Sequence, residues 1–343
     1  MKIWKKLSIV GMALLLAVST GFLVSGCGKK DYSKITLNEV THSIFYAPLY
    51  VAINNGYFED QGLTVTLVNG GGSNNSMSAL MSGSADMILA GPETVVYTSQ
   101  EGASDKPVVF GQLTTCDGSF IVSKEDEPDF KLEDLVGETI IGGREGGLPA
   151  MTLEYILTQV EDLEIGTEAG QVNLRTDVAF DLTASVWEAD ASVKYCTLFE
   201  PTATNTEKAG LGHVVASLGE LSGSIPYTCF AAKESYIEDH GDIVEKFLRA
   251  IDAAYEFIVT SEEEDVARAL LPSFDGNTVE ELTVAVTQYK AIKAWSEDRI
   301  LTEESFNNLM NVMLNAGVIT ERSEWTDIVD NTIATKLKNE KAA

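Results

Sequence analysis

Residues 35–68, ITLNEVTHSIFYAPLYVAINNGYFEDQGLTVTLV, constrain this chain more than any other stretch. Ile35 and Leu37, with Val40, supply a short apolar strand, and residues 41–46 form a polar and aromatic loop at its carboxyl end. Pro48 falls at a first helical position, where its missing N–H costs nothing. Leu49, Ala52 and Ile53 share one helical face, and Gly56 suits the left-handed position that closes a helix. Leu63, Val65 and Leu67 then alternate with Thr64 and Thr66 as a half-buried strand. The sum is a βαβ unit with parallel strands and a right-handed connection. Ligands of open α/β sheets sit beyond the carboxyl ends of the strands, the place held by Thr41, His42, Ser43, Phe45 and Tyr46.

The same alternation continues downstream. Gly70-Gly71-Gly72-Ser73 opens a short helix through Met77, Leu80 and Met81, with Asn74 or Asn75 as its cap. Residues 85–90 read as a third strand, and Gly91-Pro92-Glu93-Thr94 turns into the next helix. The glycine run lacks the Lys-Ser/Thr of a P-loop and the spacing of a dinucleotide fingerprint. Gly142-Gly143-Arg144-Glu145-Gly146-Gly147-Leu148-Pro149 ends at a helix start, where free N–H groups and the helix dipole suit an anion. Arg144 either adds a bidentate contact to that anion or pairs on the surface with Glu145. Leu153, Ile156, Leu157 and Val160 give the following helix its apolar face, and Ser261 with Glu264 reads as a capping box.

The chain has 343 residues, more than one ordinary core accommodates, so two lobes are expected. Its formal charge of −28 excludes nucleic acid as a partner, because phosphate binding needs a basic surface. His42, His213 and His240 have no metal-ligand spacing, and neither a metal nor another cofactor is expected. Beyond Cys27 there are Cys116, Cys196 and Cys229, an odd set without the spacing of a disulfide framework. They read as small buried residues, with a Cys116–Cys229 bridge as the alternative. At the start, Lys2, Lys5 and Lys6 precede an uncharged apolar run from 7 to 24 and then Leu23-Val24-Ser25-Gly26-Cys27, the layout of a secretion signal.

The segments Tyr46-Ala47-Pro48-Leu49-Tyr50-Val51-Ala52 and Asn55-Gly56-Tyr57-Phe58-Glu59-Asp60-Gln61-Gly62-Leu63 resemble the opening of the type-2-like solute-binding proteins of ABC importers. The branch they resemble handles sulfonates, taurine and thiamine-pyrimidine precursors. Further matches are Gly83-Ser84-Ala85-Asp86-Met87 before the third strand, residues 131–141 opening a second lobe, and residues 325–331 near the end. The resemblance spans essentially the whole mature chain. It implies an α/β fold of two lobes joined by a two-stranded hinge: lobe 1 from 35–115 and 230–343, lobe 2 from 118–227. Leu-x-Ser-Gly-Cys is similar to a bacterial lipobox, which implies a signal peptide over 1–26, a lipid on Cys27 and a tether over 27–34. The implied partners are a small solute, the transmembrane subunits of an ABC permease and the membrane through the Cys27 lipid, with the protein a monomer on the outer face of the cytoplasmic membrane.

Ligand contacts implied by the resemblance and the loop positions are Thr41, His42, Phe45, Tyr46, Ser73, Asn74, Gly91 and Glu93 from lobe 1. Lobe 2 contributes Arg144, Gly146, Trp187 and Glu200, and Asp117 at the crossing is a weaker choice. Where the family carries Trp-Glu-Pro this chain has Phe199-Glu200-Pro201, so the aromatic role falls to Trp187 or Phe199. Aromatics with carboxylates suit a thiamine-pyrimidine-like heterocycle, and Arg144 suits a sulfonate or taurine. A fungal enzyme of the same fold makes thiamine pyrimidine, but its cysteine-rich stretch is missing here, so binding rather than catalysis is expected. Replacing Cys27 by Ala should release the protein from the membrane fraction of expressing cells. Undiminished membrane retention on fractionation would refute the lipid assignment.

Overall fold

The computed structural model describes residues 32–343. The signal peptide, Cys27 and most of the expected tether lie outside the described residues. Strand β1 (Ser33–Glu39), helix α1 (Ala47–Asn54) and strand β2 (Leu63–Asn69) build the expected βαβ unit. The two strands are parallel, in register from Ser33 opposite Leu63 to Glu39 opposite Asn69. Pro48 lies in the first turn of α1, and Gly56 takes φ 76° just beyond its end. Helix α2 (Ser73–Ser82), β3 (Met87–Ala90), α3 (Glu93–Gln100) and β4 (Pro107–Thr114) follow. Gly72, rather than Asn74 or Asn75, occupies the cap of α2; its φ of 141° is open to glycine, and Asn75 instead donates its amide to the Gly70 carbonyl.

The chain then enters a second sheet as β5 (Ser119–Ser123), and continues through β6 (Thr139–Ile141), α4 (Leu148–Tyr155), β7 (Asn173–Arg175), α5 (Thr183–Ala189), β8 (Tyr195–Phe199), α6 (Thr202–Lys208) and β9 (His213–Ser217). It returns as β10 (Thr228–Lys233). Helices α7 (Gly241–Thr260), α8 (Glu263–Leu270), α9 (Val279–Ala291), α10 (Glu303–Asn315) and α11 (Thr332–Ala342) complete it. Helix α7 buries Val244, Phe247, Leu248, Ile251, Ala254 and Ile258, a stripe at helical spacing that covers the first lobe. Val160 is exposed, because the turn over residues 156–160 ends the helix before it can join the α4 face. The capping box forms at Thr278 and Glu281 of α9, each side chain accepting the other's backbone N–H. Ser261 is not a cap, since α8 begins two residues later behind Glu262.

Each sheet has five strands, in the orders β2-β1-β3-β10-β4 and β7-β6-β8-β5-β9. The plan is the same in both. A parallel trio is joined to the outer strand by one antiparallel strand, and that strand is the first to arrive from the other lobe. The carboxyl ends of β1, β3, β6 and β8 therefore open on the space between the lobes. The two crossings are bonded to each other: Ile225 N–H donates to the Thr115 carbonyl (2.9 Å) and Tyr227 N–H to the Thr114 carbonyl (3.3 Å). Cys116, Cys196 and Cys229 are buried free thiols.

Gly118 in the outgoing crossing lies under the Phe45 ring, where an added Cβ would stand 2.5 Å from ring carbons. Phe45 has no exposed surface and packs against Tyr46, Phe199, Tyr227 and Tyr289. The ring cannot retreat without disturbing four others. Gly118→Ala should cost about 1–3 kcal/mol, as overpacking does. Denaturant titration checks this, and an unchanged midpoint would contradict it.

Candidate functional site

The cleft holds two adjoining chambers. In the first, about 60 Å³ is open to the centres of water-sized molecules, and Tyr46, Phe199, Tyr227, Val40, Leu148 and Pro149 form its apolar wall. Thr41, Ser73, Gly91, Glu93, Arg144, Gly147 and Thr228 complete it. The second, about 200 Å³ by the same measure, shares Thr41, Pro149 and Phe199 with the first. His42, Ser43, Gly142, Gly143, Asp181, Thr183, Thr197, Glu200 and Thr202 also line it. Both chambers take walls from both lobes.

Glu93 stands in the first turn of α3, just beyond β3. Its carboxylate folds back over Gly91, whose added Cβ would lie 2.0 Å from Oε2. Only glycine leaves that room. The carboxylate is 1% exposed, and Oε2 is buried with no hydrogen-bond partner. Burial pushes the acid up to about 7, although the Arg144 charge opposes this. Arg144 reaches the chamber from the glycine loop after β6, and its Nη1 donates to the Glu145 carbonyl (3.0 Å). Gly143 and Gly146 take φ 106° and 68° there, and Gly147 caps α4.

At the rim, His42 Nδ1 lies 3.0 Å from Glu39 Oε1 and Nε2 lies 2.6 Å from the Ser273 carbonyl. Both neighbours are acceptors, so the doubly protonated ring satisfies both. The bond to Glu39 raises the His42 pKa against the opposing effect of burial. Tyr50 donates to the other Glu39 oxygen and accepts from Ser43 N–H. Glu39 is 2% exposed, at the end of an apolar strand. It was not among the expected site residues, although an acid three positions before a histidine at a strand end is a readable signal. Its role is to hold the 41–46 loop.

Across the cleft, Glu200 turns its carboxylate onto its own helix α6. Oε2 accepts from Thr204 N–H (3.1 Å) and Oε1 from the Thr204 hydroxyl (2.9 Å). Burial raises its pKa to about 7. The Glu200 backbone spans the lobes: Ser43 Oγ donates to its carbonyl (2.7 Å) and its N–H donates to the Tyr289 hydroxyl (3.1 Å). Tyr97 likewise donates to the Gly146 carbonyl of the other lobe (3.2 Å).

Thr41, Tyr46, Ser73, Gly91, Glu93 and Arg144 thus come together in the first chamber, and His42 and Glu200 in the second. Four expected contacts are placed elsewhere. Trp187 is fully buried in the second lobe, with Nε1–H donated to the Lys194 carbonyl and its ring over Gly212. Phe199 is the aromatic on the cleft wall instead. Phe45 is in the aromatic seal over Gly118, Asn74 borders an outer hollow beside Tyr97, and Gly147 rather than Gly146 lines the chamber. Asp117 is buried at the crossing, with Oδ1 accepting from Ser119 N–H and hydroxyl, and burial raises it to about 6. Among the described residues no cluster of histidine, cysteine or acidic side chains could hold a metal ion, and no helix is long and apolar enough to cross a membrane.

Comparison with known proteins agrees with this architecture. A family model described as NMT1/THI5 like matches residues 44–265. The protein YtlA of Bacillus subtilis (strain 168) is 34% identical over 333 residues, 97% of this chain and 98% of its own. The formylaminopyrimidine-binding protein of Halalkalibacterium halodurans is 26% identical over 270 residues, 77% of either chain. The periplasmic aliphatic sulphonate binding protein SsuA of Escherichia coli superposes with a TM-score of 0.65 at 13% identity, covering 88% of this chain and 99% of that one.

Burial raises Glu93, Glu200 and Asp117 above their ordinary values of 4.5, 4.5 and 3.8. The fold therefore favours their neutral forms. That contribution is complete below about pH 4 and is lost as pH rises through 6 to 7. His42, raised above 6.5, acts in the same direction. Unfolding free energy of the ligand-free protein should fall between pH 5 and pH 8. Glu93→Gln should remove about 1–3 kcal/mol of that fall. Equal slopes for the two proteins in denaturant titrations would contradict the burial argument.

Proposed function

The chain belongs to the NMT1/THI5-like family, and on that premise we propose that it captures a thiamine-pyrimidine-like heterocycle between its lobes and delivers it to an ABC permease. The coarse role, a solute-binding protein of the ABC import type, is that of the family. The observation that carries the finer reading is the buried, unpartnered Glu93 Oε2 inside an aromatic-walled chamber. A neutral acid there donates to a ring nitrogen, and an ionised one accepts from an exocyclic amine. An aminopyrimidine edge offers both groups side by side. Tyr46, Phe199 and Tyr227 would cover its faces. The name of the Halalkalibacterium relative points the same way.

A second reading rests on Arg144 and the N-terminus of α4: an alkyl or aryl sulfonate, or taurine, held by the guanidinium and the loop N–H groups. Glu93 beside that anion disfavours it. In either reading the ligand draws the lobes together because it touches both, and the closed form engages the permease. We further read the protein as a monomer, tethered outside the cytoplasmic membrane by a lipid on Cys27.

A thermal-shift screen of residues 28–343 with aminopyrimidines, sulfonates and taurine tests the choice. A ligand at 100 times its Kd stabilises by about 2.7 kcal/mol. Aminopyrimidines should shift the protein, and Glu93→Gln should weaken them at least tenfold by calorimetry while Arg144→Ala weakens them less. A shift with sulfonates alone, abolished by Arg144→Ala, would replace the heterocycle with the second reading.

A further inference from the structure

Helix α11 is held differently at its two ends. Where it begins, Asn331 exchanges two hydrogen bonds with the Leu301 backbone (3.2 and 2.9 Å), and Asp330 N–H donates to the Val109 carbonyl of β4 (2.9 Å). Ala334 and Leu337 are its buried residues. Past Leu337 every residue is exposed, and ion pairs hold the last turn: Lys338 Nζ to Asp298 (2.7 Å), Lys341 Nζ to Asp252 (2.9 Å) and Glu340 to Arg249. Hollows flank this turn on both sides, and Asp252 and Lys341 border both. Salt screens exposed pairs of this kind.

Behind Asp252 lies a buried cation with nothing to bond. Arg299 has no exposed surface, and its guanidinium lies over the Tyr255 ring, 4.8 Å from the centroid. None of its three side-chain nitrogens has a hydrogen-bond partner. Asp252, on α7, is the acid beside it. Its Oδ2 takes Lys341, while Oδ1 stands 3.9 Å from Arg299 Nε, too far for a hydrogen bond, and has no other partner. One buried carboxylate thus stands between two cations and is bonded to the exposed one. The unmet atoms of Arg299 and Asp252 are costly in the interior. Once Lys341 leaves, nothing draws Asp252 outward, and a shift of about 1 Å brings it within hydrogen-bond reach of Arg299. The turn can lift without leaving a buried charge uncompensated.

We propose that residues 338–343 are a salt-released strap, and that Asp252 trades Lys341 for Arg299 when the strap lifts. The first turns of α11 stay docked through Asn331, Ala334 and Leu337. The lifted turn carries Lys338 and Lys341 away from an acidic floor of Asp252, Glu297 and Asp298, and that floor is the surface it uncovers. None of these residues lines either cleft chamber, so the device is independent of the solute.

Hydrogen exchange of the ligand-free protein tests the strap. Raising NaCl from about 20 mM to about 500 mM should speed exchange of the 338–342 amides at least fivefold relative to those of 333–336 in the same helix. Lys341→Gln, at an exposed position, should give that fast exchange already at low salt. Exchange of 338–342 that ignores both salt and Lys341→Gln overturns the strap. The trade is read from denaturant titrations. Arg299→Met should lower the folding equilibrium constant by a factor at least threefold larger in the Lys341→Gln background, where Asp252 is bonded to Arg299, than in the native one. Equal factors overturn the trade. If Arg299→Met does not fold, the Arg299 Nε–H proton is followed by NMR in the native and Lys341→Gln proteins. Slower solvent exchange of that proton in Lys341→Gln supports the trade, and equal rates overturn it.

Discussion

Everything in this molecule depends on two strands that cross. β5 and β10 are the first segments to arrive in their sheets from the other lobe, and each is hydrogen-bonded on both sides as the antiparallel member beside a parallel trio. Neither sheet could shed its crossing strand without exposing a row of unpaired N–H and C=O groups. The lobes are therefore joined at the back, where the two crossings are bonded to each other, and the cleft lies in front. The carboxyl ends of the parallel strands face that front, and every loop that lines the cleft follows from this.

Within the cleft, loss of water decides the chemistry. Glu93 and Glu200 are both acids beyond strand ends, both buried, and both pushed to about 7. They differ in what surrounds them. Glu200 is satisfied by Thr204 and serves its own helix, whereas Glu93 keeps an oxygen without a partner. A buried polar atom without a partner is costly to the fold and favourable for a ligand that supplies one. Glu39 completes the contrast, with both oxygens committed to His42 and Tyr50 and thus purely to the shape of the loop.

Local patterns carried most of the fold. The βαβ opening, Pro48 at a helix start, Gly56 beyond a helix end and the glycine loop before α4 were all legible because each depends on neighbours in sequence. The errors came from contacts that are distant in sequence. Trp187 lies near loop positions, but Gly212 makes its berth and the Lys194 carbonyl takes its N–H. Phe45 sits in a cleft loop, but Gly118, across the crossing, lets it turn inward. The Ser261 error is different in kind, since Thr278-Val279-Glu280-Glu281 offered the same pattern and tertiary packing chose it. Glu93 and Arg144 were readable because strand ends place them. That Glu93 would be left unpartnered was not readable, because that depends on what both lobes bring near it.

The strand order also has a consequence for how the polypeptide is made. β10 lies between β3 and β4, so the first sheet keeps a one-strand gap until residue 233 has emerged. All strands of the second sheet precede that point. A chain delivered from its N-terminus can thus finish the later lobe before the earlier one, and the half-built first sheet must wait with two open edges. The acidic character of the chain, −28 overall, keeps such intermediates apart while they wait.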